Sequence, residues 1–372
     1  MKKIFVSALA FDDGKSGISN YIENTIYNLA QDNKIYVALL EKDMDNFKRK
    51  HKNIHFILFP NILKSSILNL IFHMFFLPFY VNKDYDFMFL PAANRRLMAF
   101  YPIFTIATFH DLSQFNVSNK YDFFRMFYIK HIIPIFLKPI KKIIAVSNNT
   151  KLDMEKHFNI DSQRITVNYN GVDKELFNSP KGDFEKLKEK LSLNKKYFLY
   201  VSRLEHPGKN HLNLIKAYEA LPLEIKDEYD LVLVGNQKEN SHVIIDHIQN
   251  SKDKESIKIL GFLENEELPS IFYNAKLFIF PSYYEGFGIP LIEAMAMKVP
   301  TLCASNSSLL EIGKDVSAFF DEYSPLSIKN CIEEVLSDES KQEEMVAKGL
   351  VEVKKYDWSY HANKIIELYK TR

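Results

Sequence analysis

Short, almost wholly apolar runs recur along the chain, and between them apolar positions return at the three- and four-residue spacing of one-sided helices. In the first half the pattern predicts strands at KIFVSAL, IYVALL, HFILF, DFMFLP, TIATFH, KIIAVS and ITVNYN, with helices near 17–31, 62–77, 121–138 and 149–158. A polar, charged stretch, SPKGDFEKLKEKLSLNKK at 179–196, interrupts the series. A second series then begins, with strands at YFLYVS, DLVLVG, IKILGF, KLFIFP and PTLCA and helices between them. Strands alternating with helices are the mark of α/β architecture with parallel sheets. The restart places a domain boundary at 178/179, giving a first domain over 1–178 and a second over 179–357. A helix at 340–354 and an amphipathic one from Trp358 to Tyr369 close the sequence.

The longest apolar run, SSILNLIFHMFFLPFYV at 65–81, is short for a bilayer span and carries Asn69, His73 and Pro78, so it is expected to be a buried helix. A membrane-contacting helix is the second reading. KYDFFRMFYIKHIIPIFLKPIKK at 120–142 mixes cations with aromatics as interfacial helices do, and equally suits core packing with lysines reaching outward.

At 372 residues, 47% hydrophobic and 26% charged, the chain has the length and composition of a two-domain globular protein. The opening MKKIFVSALAF reads as a strand running into Asp12 and Asp13 rather than as a leader. Cys303 and Cys331 are too few for a disulfide framework or zinc site and are expected to be buried thiols in a reducing cytoplasm. The net charge of +1 hides an asymmetry. Residues 1–178 carry 23 Lys and Arg against 16 Asp and Glu, a balance of +7, whereas 179–372 carry 25 against 31, a balance of −6. No nucleic-acid-binding motif accompanies the basic half, so an anionic membrane surface is the partner it suggests.

The chemistry concentrates in PSYYEGFGIPLIEAMAMK at 281–298. Glu285 and Glu293 stand eight positions apart with Gly286 and Gly288 between them, after a buried strand and before a helical run. Pro290 suits the first turn of that helix. The glycines let backbone approach a ligand, and a helix start offers free N–H groups to an anion. The bland reading is an ordinary turn with two solvated acids. VSRLEHPGKN at 201–210 adds Arg203 and Lys209, six positions apart just past a strand; surface cations are the bland reading there too. GKSGISNYIENTIYNLA places Gly14 and Gly17 before a helix, and FHDLSQF places His110 and Asp111 after a strand. G-x-G-x-x-G is missing, which argues against a nicotinamide or flavin site. Asp43-Met-Asp45 has the spacing of a metal-binding acidic pair but sits in a charged stretch and is set aside.

These segments together resemble the family 4 retaining glycosyltransferases, in which two glutamates flank a Gly-Phe-Gly turn and an Arg and a Lys stand six positions apart after a strand. The resemblance runs from Gly17 to the last helix. It implies a GT-B fold, two Rossmann-like domains facing across a cleft, with helix 358–372 crossing back onto the first. It implies that Arg203 and Lys209 bracket the donor diphosphate, while Asn210 holds their loop. Glu293 would accept ribose hydroxyls, Glu285 hydroxyls of the donor sugar, and the N–H groups around Phe287, Gly288 and Ile289 the phosphate or sugar. Backbone at Phe262 and Leu263 would meet the base, Gly17 would approach the donor phosphate, and His110 would contact the donor sugar. The implied reaction is metal-independent, cofactor-free transfer of a hexose from a nucleotide sugar to a glycan hydroxyl with retained configuration. The acceptor expected is a lipid-linked oligosaccharide of a bacterial surface polysaccharide such as O-antigen. The enzyme would be cytoplasmic, peripheral at the inner membrane face, with no nucleic-acid partner. Two alternatives stand beside it, a nucleotide-sugar epimerase or hydrolase on the same fold and a non-catalytic partner protein. The base and sugar, GDP-mannose against UDP-sugars, and the linkage stay open.

Overall fold

The computed structural model describes residues 1–117 and 123–372. The chain divides into two compact units, Met1–Gly171 with Asp357–Arg372, and Val172–Tyr356. The first boundary falls ahead of the expected 178/179. Residues 172–178 pack with the second unit: the Val172 N–H bonds the Tyr356 carbonyl at 3.2 Å, and Phe177 lies against Phe272. The polar stretch after them is the lead-in to that unit, with its own helix Phe184–Lys190 capped by Asp183.

In the first unit seven strands, β1 (Lys3–Ser7), β2 (Lys34–Leu40), β3 (Ile54–Phe59), β4 (Phe87–Leu90), β5 (Thr105–Phe109), β6 (Lys142–Ala145) and β7 (Ile165–Val167), form one parallel sheet in the order β3-β2-β1-β4-β5-β6-β7. In the second, β8 (Lys196–Val201), β9 (Tyr229–Val234), β10 (Ile257–Gly261), β11 (Leu277–Phe280), β12 (Thr301–Ala304) and β13 (Ala318–Phe320) take the order β10-β9-β8-β11-β12-β13. Both are doubly wound, so the order in which strands are added reverses between β1 and β4 and between β8 and β11. Ligands of such sheets bind beyond the carboxyl ends of the strands at that reversal. β13 escaped the sequence pattern because it is only three residues long, and two of those are half-buried.

The last helix, Trp358–Lys370, packs on Gly17–Ala30 and belongs to the first unit. A directed chain of bonds fixes it. The Tyr169 carbonyl can only accept, so His361 carries its proton on Nδ1 (2.8 Å) and accepts at Nε2 from Tyr21 (2.8 Å), whose oxygen accepts from Thr108 (2.8 Å). Gly171 is required there: a Cβ would stand 2.4 Å from the Trp358 backbone nitrogen.

The apolar run at 65–81 departs from expectation. It is not one buried helix but a short helix Ser66–Ile71, a π-helical turn Phe72–Phe76 and a 3-10 turn Leu77–Tyr80. His73 is drawn inward, bonding Ser7 Oγ at 2.8 Å and the Leu97 carbonyl at 3.1 Å, while Ile67, Phe76 and Phe79 are exposed. Of the helix expected over 121–138, residues 121 and 122 lie outside the described residues; the remainder runs Phe123–Leu137 through a second π-helical turn. Among the described residues no helix is long and apolar enough to cross a membrane. Both cysteines are buried and unbonded.

Candidate functional site

In the second unit Arg203, Lys209, Asn210, Glu285 and Phe287 to Glu293 follow the carboxyl ends of β8 and β11, neighbours at the point of reversal. The loop after β8 carries Arg203 and Lys209. Tyr200 donates to the Lys209 carbonyl at 2.8 Å and pairs with Ser282 beyond β11, locking the loop to the next strand. Asn210, buried, donates to the carbonyls of Pro281 (2.9 Å) and Glu322 (2.7 Å) and thereby ties loop 202–209 to two others. Arg203 pairs with Glu205 at 3.0 Å, and its side chain stays 37% exposed.

Lys209 Nζ meets Glu285 Oε1 at 2.6 Å, with both side chains less than a fifth exposed. Loop 285–288, which supplies Glu285, is pinned from behind. The Glu285 N–H donates to Ser307 Oγ at 3.0 Å, and Ser308 Oγ reaches the carbonyls of Glu285 and Phe287, each at 2.9 Å. Phe287 is buried edge-on against Tyr356. Gly288 caps the helix Ile289–Ala296 with φ of 103°, a left-handed conformation that favours glycine, and a Cβ there would come 2.9 Å from Leu309 Cδ2. Pro290 lies in the first turn.

Glu293 points inward from that helix and is only 6% exposed. Among the described residues its carboxylate takes no hydrogen bond and no ion pair. Burial, and then the negative charge of Asp173, push its pKa up to about 8. A buried acid without hydrogen bonds is costly unless something later supplies donors. Phe262 and Leu263 follow β10, the first 38% exposed and the second buried; Gly261 ahead of them has φ of 70°. Its carbonyl accepts from the Gly235 N–H at 2.7 Å. Lys209 and Glu285 are thus in direct contact, Arg203 lies on the same loop, and Glu293 stands one helical turn beyond Gly288.

In the first unit, Gly17 opens the helix after β1. Ser16 caps it by accepting from the Ser19 N–H, and Asp12 closes the loop by accepting from Ser16 at 2.6 Å and from Ser19. His110 follows β5. Its Nε2 donates to the Pro91 carbonyl at 2.7 Å, and Tyr21 lies edge-on to the ring at 4.5 Å. Burial drives its pKa down to about 4, so the ring is neutral and Nδ1 is left as an acceptor. Asp43, of the acidic pair set aside, is buried against Lys42 at 2.8 Å.

Sequence reasoning missed Glu205, Asp173, Ser307 and Ser308, which hold or face the residues it found. Glu205 stood two positions from Arg203 and was within reach of a charge-pairing argument; Asp173 and the serines are distant in sequence and left no local signal.

Residues 183–350 match the family model for glycosyl transferases group 1, and residues 15–176 match that for Glycosyltransferase Family 4. O-antigen chain mannosyltransferase B of Escherichia coli is 29% identical over 266 residues, 71% of this chain and 70% of that one. The serotype-specific mannosyltransferase WbdA of Escherichia coli is 29% identical over 270 residues, 71% of this chain but only 33% of that longer protein. The crystal structure of Anabaena Alr3699/HepE in complex with UDP and glucose superposes with a TM-score of 0.76 at 17% identity, covering 100% of both chains, a likeness of fold. One family model covers most of the first unit and runs a few residues past Gly171, the other lies inside the second, and the chain belongs to the family 4 glycosyltransferases, with their GT-B fold.

Proposed function

We propose that this glycosyltransferase moves a hexose, mannose as in the relatives' names, from a nucleoside-diphosphate sugar to a hydroxyl of a growing surface glycan carried on a lipid, with retained configuration. The observation that carries the reading is the Lys209–Glu285 pair at 2.6 Å, held at the reversal of the second sheet beside the Gly288-capped helix start. An arriving diphosphate offers Lys209 a stronger anionic partner and releases Glu285 to accept from sugar hydroxyls. Arg203, a planar fork still partly open to solvent, complements it as a second cation.

As the glycosidic bond breaks, charge grows on the departing phosphate. Arg203, Lys209 and the N–H groups from Phe287 to Ile289 meet it, preorganised by the bonds of Tyr200, Asn210 and Ser308. These cations are side chains, so the reading needs no metal and no cofactor. With no carboxylate assigned as covalent nucleophile, departure and attack occur on one face, and the leaving phosphate oxygen takes the acceptor's proton. Glu293 receives the ribose hydroxyls, which supply the donors it lacks. Asn210 is a positioning residue, and Phe262 and Leu263 flank the base. In the first unit, Gly17 presents its helix start to phosphate and His110 Nδ1 accepts from a sugar hydroxyl. A lipid-linked acceptor places the reaction at a membrane surface.

The test is turnover with GDP-mannose and UDP-sugars, with and without lipid-linked acceptor, reading the product's anomeric configuration by NMR. Retained mannoside formed only with acceptor, and undiminished by chelator, supports the reading. Inverted product, or donor consumed equally without acceptor, overturns it.

A further inference from the structure

The first unit turns an unusual amount of large apolar surface to solvent. Phe79 is 75% exposed, Ile67 71%, Ile135 60% and Phe76 54%. These side chains belong to one layer. The segments 59–81 and 129–137 share a single core cluster beneath it, built on Phe59, Leu77, Ile129 and Leu137. Across the layer the ring of Phe79 meets that of Phe100 at 5.3 Å, Arg96 Nε donates to Asn69 Oδ1 at 2.6 Å, and Tyr101 donates to the Phe136 carbonyl at 2.8 Å.

Charge sets this surface apart. Residues 60–83, 87–110 and 123–152 contain no Asp or Glu. Lys64, Lys130, Lys138 and Lys141 on the same segments are exposed. Arg96, half-buried on the second of these segments, bonds Asn69 and the Arg95 carbonyl and pairs with no carboxylate among the described residues. Exposed aromatic and branched side chains rimmed by unopposed cations are the composition of an interfacial membrane contact. A second copy of the chain is a poor occupant, because a two-fold contact would press the lysines of these segments against their own counterparts.

We infer that the outer face of segments 62–80, Phe100 and 127–138 docks on an anionic phospholipid surface, with the aromatic and branched side chains in the headgroup boundary and the lysines on lipid phosphates. The inference rests on the proposed lipid-linked acceptor for its purpose, but its test reads lipid binding alone, whereas that proposal stands or falls on transfer.

The experiment is co-sedimentation of the full chain with vesicles of phosphatidylcholine alone and with vesicles in which roughly a third of the lipid is phosphatidylglycerol. Binding is expected to be at least about tenfold stronger to the anionic vesicles and to fall steeply as salt shortens the screening length from about 10 Å at 0.1 M to about 3 Å at 1 M. The Phe76→Ser/Phe79→Ser and Lys130→Glu/Lys138→Glu variants are each expected to lose about tenfold or more. Unchanged melting temperatures and nucleotide affinity show that they are folded; should either fail to fold, the single Lys138→Glu variant, expected to lose about fivefold, takes its place. Equal binding to both vesicle types, no binding, or variants that sediment like the wild type overturn the inference. So does a dimer that the aromatic variants dissolve, which assigns the face to a second copy.

Discussion

Replacing Glu293 by Gln tests the proposed donor site through its own electrostatics. The carboxyl is raised from 4.5 to about 8 by burial and then by Asp173. The folded protein therefore holds this proton more tightly than the unfolded chain does. The linkage sign follows: with its folded pKa raised, the group's contribution is fully present below pH 4.5 and is lost as pH climbs toward 8. At 1.36 kcal/mol per pKa unit the loss across that window is roughly 4–5 kcal/mol, an upper bound because water entering the pocket would soften it. Gln keeps the shape and cannot ionise. Wild type and Glu293→Gln should melt alike near pH 5 and diverge above it, with the variant the more stable at pH 8 by several degrees. Nucleotide should bind the variant more weakly, since an amide replaces the acceptor-only carboxylate offered to two hydroxyls. In the wild type, nucleotide binding near neutral pH should release a proton, seen as a buffer-dependent heat in calorimetry. Parallel melting curves from pH 5 to 8, together with unchanged nucleotide affinity, would refute both the ionisation argument and the role of Glu293.

Lys209→Ala is expected to lower turnover by about 100-fold or more, the usual cost of one preorganised charge partner. It should also reduce stability by about 1–3 kcal/mol, because Glu285 is left unpaired at 14% exposure; steady-state kinetics and urea unfolding read the two effects. Gly288→Ala forces a side chain into a left-handed conformation and into Leu309 Cδ2, so about 1–3 kcal/mol should be lost in thermal unfolding, with weaker donor binding. His110→Ala should cut turnover while leaving the pH profile between about 6 and 8 unchanged, because the ring is already neutral there. A profile that shifts with this substitution would show His110 titrating in the reaction.

Apart from β13, the strands were legible because each is a compact apolar run, and the two sheets follow from their alternation with helices. The helix at 62–77 was misread for a definite reason. His73 looks like a polar interruption of an apolar stretch, yet it turns inward to Ser7 and Leu97 while the phenylalanines turn out. Those partners are distant along the chain, and periodicity reports nothing of them. At the site, the acids and cations stand out by type and spacing, but their pairing does not. Nothing local says that Lys209 meets Glu285 or that Asp173 faces Glu293. The same distance hid the boundary at Gly171/Val172: residues 172–178 continue the polar drift of the preceding loop, and distant partners, Tyr356 for Val172 and Phe272 for Phe177, assign them to the second unit.

Because Asp357–Arg372 completes the first unit, that unit cannot finish assembling when its own sheet has been made. Residues 172–356, 185 in all, must be translated first. At 5–20 residues per second this is an interval of about 10–40 s. Throughout it Tyr21 waits for His361, and Phe87 for the ring of Tyr369 that later stacks on it at 4.9 Å. A nascent chain arrested in that interval would offer a bare apolar seam to chaperones, and a ribosome stalled before Asp357 should show it.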